Sequence, residues 1–124
     1  YVAQLIAECG DMLDVYSGND DQIVPVMALG GKGVISVLSN IMPKETHVMA
    51  QYCLDNNIAE AAKLQLKYLR VINDLFIEVN PIPVKKAMNL MGLNCGECRM
   101  PLYPMSDDDT AKLTASMKAC NLIK

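Results

Sequence analysis

The chain has 124 residues, the size of one ordinary domain, and its 52% apolar and 20% charged content excludes a disordered polymer. Eleven Lys+Arg against 14 Asp+Glu give a net charge of -3, and no basic cluster is longer than Lys85-Lys86, which excludes a surface that tracks nucleic-acid phosphates. No stretch approaches the ~18 consecutive apolar residues of a membrane span, and the N-terminus has no signal-peptide pattern, so neither nucleic acid nor membrane is expected as a partner and a soluble, cytoplasmic protein is expected.

Val2, Leu5, Ile6 and Cys9 make the chain start inside an amphipathic helix, over residues 1 to 9, with Gly10 read as a left-handed cap. Because residue 1 is Tyr1 and not Met, the chain reads as cut from something larger. Met12 to Ser17 is a short β-leaning run that stops at Gly18-Asn19-Asp20-Asp21, a turn entering a helix. That helix, from about Asp21 to Leu29, puts Ile23, Val26 and Met27 on one face. Gly30-Gly31-Lys32-Gly33 ends it, and Val34 to Leu38 is apolar on both faces, as a buried parallel strand is. Strand, helix and strand within about thirty residues make a βαβ unit and an α/β class.

Beyond Asn40 the pattern is helical. Pro43 suits a first helical position, and Val48, Met49, Tyr52 and Cys53 form a stripe. A long amphipathic helix is predicted from Ile58 to Val79, with Ala62, Leu66, Leu69, Ile72, Phe76 and Val79 on its apolar face. Asn80-Pro81-Ile82-Pro83 is a rigid turn, Val84 to Met91 a helix that stops at Gly92, and residues 93 to 105 an irregular connection. Ser106 followed by Asp107, Asp108 and Asp109 caps a last helix that carries Leu113, Met117 and Cys120 inward. Two parallel strands need covered faces and paired edges, so the missing strands are expected before Tyr1. The strand residues Val15, Val34, Ile35 and Val37 then leave apolar area and open edges, and the isolated 124 residues should self-associate.

The motifs are sparse. Cys95-Gly96-Glu97-Cys98 has metal-knuckle spacing, but a closed zinc site needs four ligands and His47 is the single histidine, so two loop thiols are expected and no metal site. All five cysteines read as reduced thiols. Gly30 to Gly33 follows a helix and precedes a strand, the reverse of a phosphate loop. His47 reads as a surface histidine, and Ser17 and Ser36 have no basic partner that would make a nucleophile. Ligands of α/β sheets and barrels gather at the C-terminal strand ends, which leaves Gly18 and the stretch from Ile35 to Asn40 as the places for chemistry.

Three segments together resemble the dihydrodipicolinate synthase (4-hydroxy-tetrahydrodipicolinate synthase) family: Tyr16-Ser17-Gly18-Asn19-Asp20-Asp21, Leu29 to Asn40, and Phe76-Ile77-Glu78-Val79-Asn80-Pro81-Ile82-Pro83-Val84-Lys85. Arg99-Met100-Pro101-Leu102 is similar to the family's closing motif, and Asn19 stands where the family is expected to carry aspartate. The resemblance implies the C-terminal portion of a (β/α)8 barrel followed by a helical domain. Residues 1–42 would be the end of the barrel, including strands seven and eight, and residues 43–124 the last barrel helix and the helical domain.

It also implies an enzyme, usually a tetramer, that condenses pyruvate with aspartate semialdehyde through a Schiff base in lysine biosynthesis, with no cofactor. The Schiff-base lysine belongs to a Gly-x-Lys-Glu-like motif on strand six, which this chain lacks. No catalytic residue is therefore expected here, and the chain alone should be inactive. Gly18, lining the substrate pocket, and Ile35, whose backbone carbonyl faces bound pyruvate, are the binding residues that carry over. A sibling pyruvate-dependent aldolase, an N-acetylneuraminate lyase, and a non-catalytic helical assembly partner are the alternatives.

Overall fold

A computed structural model describes all of residues 1–124. The elements follow the order α1 (Val2–Cys9), β1 (Tyr16–Ser17), α2 (Ile23–Ala28), β2 (Gly33–Val34), α3 (Pro43–Leu54), α4 (Ile58–Asp74), α5 (Ile82–Leu90) and α6 (Asp107–Ala119). Short 3-10 turns occupy Asp20–Gln22 and Leu38–Asn40. The chain divides into two compact units, Tyr1–Lys67 and Tyr68–Lys124, with the boundary inside α4.

In the first unit β1 and β2 pair in parallel, Tyr16 opposite Gly33 and Ser17 opposite Val34, as the βαβ reading requires. Further bonds extend the ladder at both ends: the Lys32 amide donates to the Val15 carbonyl at 2.8 Å and the Ile35 amide to the Ser17 carbonyl at 2.9 Å. Between the strands, α2 buries Ile23, Val24, Val26 and Met27, and α3 packs against it through Thr46, Met49 and Cys53. Pro43 begins α3 as expected, since its missing N–H would have no intrahelical partner in the first turn.

Three expectations for this unit need correction. Gly10 is right-handed, at φ -58° and ψ -27°; a Cβ there would sit 2.4 Å from the Ile6 carbonyl oxygen, so glycine answers a close approach and not a left-handed turn. The strand predicted from Met12 has only Tyr16–Ser17 in the ladder, and Met12 and Leu13 are exposed. The strand predicted over Val34 to Leu38 ends at Val34; Ile35 is 73% exposed, and the chain then tightens into the 3-10 turn at Leu38. With one neighbour each, the strands have no second ladder to hold longer runs extended.

The long helix ends at Asp74, and Leu75–Val79 forms turns. Its buried side is Ala61, Gln65, Tyr68, Val71 and Ile72, continued by Leu75 just past its end; of the predicted stripe Ile72 is buried, Ala62 and Leu69 are half-buried, and Leu66, Phe76 and Val79 are exposed. Polar Gln65 is buried because both ends of its amide are bonded: Oε1 accepts from the Val24 amide at 3.3 Å, and Nε2 donates to the Asp20 carbonyl at 2.8 Å.

In the second unit α5 packs on α6 around Val84, Ala87, Leu113 and Met117. Helix α5 starts two residues earlier than predicted, at Ile82, because Pro83 fits the first turn and need not precede the helix. The stop at Gly92 is left-handed, φ +84°, as a glycine cap permits. Ser106 caps α6 as read, its Oγ accepting from the Asp109 amide at 3.2 Å. Leu113 and Met117 point inward, and Cys120 is a half-buried cap residue just past the helix.

Candidate functional site

Parallel pairing of Ser17 with Val34 puts Gly18 and Ile35 at the next register position, together at the C-terminal ends of β1 and β2. Gly18 is exposed, has no left-handed φ, and a Cβ there would meet no atom of this chain within 4 Å. The turn itself therefore does not demand glycine, and what the missing side chain leaves is open space beside the strand end. Gly31 differs: a Cβ would lie 2.7 Å from Val26 Cγ1 and 2.8 Å from the Val26 carbonyl oxygen, and Gly30 has φ +108°. The glycine-rich segment is a helix stop and tight turn, as its order implied.

Behind the strand ends lies a polar network that the sequence did not reveal. Asp20 is 1% exposed. Its Oδ1 accepts from Ser36 Oγ at 2.5 Å, and its Oδ2 accepts from the Val37 and Leu38 amides, each at 2.9 Å. Ser36 Oγ in turn accepts from the Ser39 amide at 2.9 Å, while Ser39 Oγ donates to the Ser36 carbonyl at 3.0 Å. The Asp20 carbonyl is held by Gln65 from α4. A buried carboxylate serving three donors is well satisfied, and it ties the loop after β1 to the loop after β2.

The Ser36 hydroxyl is thus taken up in the loop network, donating to the Asp20 carboxylate and accepting from the Ser39 amide. Ser17 Oγ donates to the Asn19 carbonyl at 2.8 Å, and Asn19 makes no side-chain cap. No spacing rule joins Asp20 to Ser36, sixteen residues on; the one available sign was an acidic pair, Asp20-Asp21, directly after a strand-end glycine. A shallow groove of about 330 Å3 flanks the same strands, where exposed His47 lies with Tyr16, Ser36, Ser39 and Thr46.

No lysine lies at these strand ends. Lys32 precedes β2 at its opposite end. Lys63 pairs with Glu60, Lys112 with Asp109 at 2.7 Å, and Lys85 Nζ donates to the Glu97 carbonyl at 2.8 Å. In the second unit Lys85 and Asn89, one turn apart on α5, hold the Cys95–Cys98 loop: Asn89 Oδ1 accepts from the Cys95 amide at 2.6 Å and Nδ2 donates to the Gly96 carbonyl at 2.9 Å. The loop closes one side of a cleft of about 220 Å3. Cys95 and Cys98 are free, half-buried thiols, and nowhere do three His, Cys, Asp or Glu side chains converge as a metal would need.

Among the remaining ionisable groups, burial in the first unit pushes the Cys53 thiol above its ordinary range. The Lys112 ammonium hydrogen-bonded to Asp109 holds that carboxyl below its usual range, and the same contact raises Lys112.

Comparison with known proteins bears on all of the chain. The model of the Dihydrodipicolinate synthetase family matches residues 1–120. The 4-hydroxy-tetrahydrodipicolinate synthase of Clostridium perfringens (strain SM101) is 54% identical over 123 residues, which are 99% of this chain and 42% of that protein. The crystal structure of dihydrodipicolinate synthase from Aquifex aeolicus superposes with a TM-score of 0.93 at 37% identity, over 98% of this chain and 41% of its own. That of the chloride-inhibited enzyme from Acinetobacter baumannii, complexed with pyruvate, superposes with a TM-score of 0.94 at 34% identity, over 98% of this chain and 42% of its own. The chain thus spans about two-fifths of the length of these relatives, and its two parallel strands and helices are those of the C-terminal portion of their (β/α)8 barrel fold and helical extension.

Proposed function

Because this chain belongs to the dihydrodipicolinate synthetase family, we propose that it forms the strand-seven and strand-eight side of an enzyme that condenses pyruvate with aspartate semialdehyde. In this reading residues 1–42 complete the barrel, residues 43–124 are the last barrel helix and helical domain, and the enzyme is a cytoplasmic homo-oligomer of the lysine pathway. The observation that carries it is the placement of Gly18 and Ile35 at one end of two parallel strands, the end at which barrels build their active sites.

The chemistry divides accordingly. A neutral lysine amine adds to the pyruvate ketone and expels water, and the resulting imine loses a proton from the methyl carbon to give the enamine that attacks the aldehyde. None of the lysines of this chain sits at the strand ends, so the amine comes from elsewhere in the barrel and residues 1–124 alone have no synthase activity. What this chain supplies is fixed backbone. The Ile35 carbonyl presents a dipole to bound pyruvate, and the open space at Gly18 admits the substrate.

The test is a complete barrel, made by replacing the matched segment of the Clostridium perfringens relative with residues 1–124, and assayed with pyruvate and aspartate semialdehyde. Turnover of that pair supports the reading. Cleavage of N-acetylneuraminate without turnover of the pair would replace the synthase with a sibling lyase, and a folded barrel inert toward both would overturn it.

A further inference from the structure

We infer that Asp20 is a positioning residue for the 2-oxo acid site: its carboxylate fixes the peptide that follows Ile35, and so the place of the carbonyl that the proposed function sets against pyruvate. The inference rests on that reading and adds to it a residue that touches no substrate.

Within residues 1–124 no side-chain packing holds Ile35, which is 73% exposed there. Hydrogen bonds on either side of it do. On the N-terminal side, its amide donates to the Ser17 carbonyl at 2.9 Å. On the C-terminal side, the next three residues all give a hydrogen to Asp20: Ser36 through its hydroxyl, Val37 and Leu38 through their amides. The Ile35 carbonyl lies between these two clamps, in a segment that the ladder no longer keeps extended. Both carboxylate oxygens are used, so the loop cannot swing about a single bond.

Asp20 is itself fixed. It is buried, its carbonyl is held by Gln65, and it stands two residues beyond Gly18. One side chain therefore registers the loop after β1 against the loop after β2, and with them both residues assigned to the pocket. Displacement of a positioning group by about 1 Å costs on the order of a hundredfold in rate, so a clamp of this kind is felt by the substrate that meets the carbonyl.

The test compares Asp20→Ala, Asp20→Asn and, as a control for lost stability alone, Leu113→Ala in the complete barrel described above. Asparagine keeps an oxygen for the Val37 and Leu38 amides but loses the charge that strengthens those bonds. The expected result is a KM for pyruvate raised about tenfold in Asp20→Ala and about threefold in Asp20→Asn. The KM for aspartate semialdehyde should hold within about twofold in both, and Leu113→Ala should lower the melting temperature with both constants unmoved. A merely structural Asp20 would instead behave like Leu113, with activity falling as the folded fraction falls and neither KM changing; that result overturns the inference. If Asp20→Ala does not fold, Asp20→Asn decides alone, and a pyruvate KM equal to that of the parent barrel counts against positioning. Absence of turnover in the parent barrel overturns the proposed function, and this inference with it.

Discussion

Two helix starts in this chain are capped by side chains, one from across the fold and one from its own first turn. The 3-10 turn at Leu38–Asn40 is capped by Asp20, seventeen and eighteen residues earlier, in a buried setting. Helix α6 is capped by Ser106, three residues before its amide donor, in water. Both satisfy amides that a helix start leaves without partners. The local cap competes with solvent and is worth a modest amount; the distant one replaces solvent that cannot reach the site, and its removal strands several donors at once. The distant cap also joins the two strand ends where the pocket is proposed, and that is the ground for proposing Asp20 as a positioning residue.

The contrast breaks most visibly at its buried end. Asp20→Ala leaves two amides and a hydroxyl without their acceptor, and should cost ~3–5 kcal/mol in urea unfolding of the complete barrel. A cost as small as that of a surface cap would show that water enters behind the strand ends. Next comes Leu113→Ala, which empties a fully buried position between α5 and α6 and should cost ~3 kcal/mol with no polar group exposed. Ser106→Ala should cost ~1 kcal/mol, and Ser106→Asp, which keeps an oxygen at the cap, should restore most of it.

The smallest effects separate water-facing from buried chemistry. Asp109 titrates below its usual range in the folded chain because Lys112 bonds it, so the stability from this pair is present above the ordinary carboxylate range and is lost as pH falls through the lower folded value. Melting temperature against pH should show a slight acid step that Lys112→Met and added salt both abolish, while the cost of Asp20→Ala stays insensitive to salt. Under native conditions Cys53, whose thiol is raised by burial, should resist iodoacetamide while Cys95 and Cys98 are alkylated, as peptide mass mapping would read.

Local features were legible in the sequence and non-local ones were not. Pro43, the Ser106 cap and the left-handed Gly92 each act within a few residues, and each stands where pattern put it. The βαβ order, the parallel pairing and the place of Gly18 after the first strand also followed from short-range signals, whereas Ile35 was expected inside a strand and lies just past its end. Polarity misled on α4: Gln65 is buried because Asp20 and Val24 bond it, so a stripe drawn through leucines took in the exposed Leu66 instead. Strand length misled because Val34 to Leu38 is apolar enough for a strand, yet three of its residues bend to meet Asp20. In both cases the missing information was one buried residue, Asp20, whose carboxylate meets Ser36, Val37 and Leu38 and whose main-chain carbonyl meets Gln65, sixteen to forty-five residues along the chain.

Borohydride reduction of the complete barrel with pyruvate, followed by peptide mass mapping, asks whether the proposed pyruvate imine forms on a lysine that residues 1–124 do not contain. One pyruvyl unit per chain is expected on a single lysine outside residues 1–124, and none on residues 1–124 incubated alone. A stoichiometric adduct on any lysine within residues 1–124 would contradict the proposal.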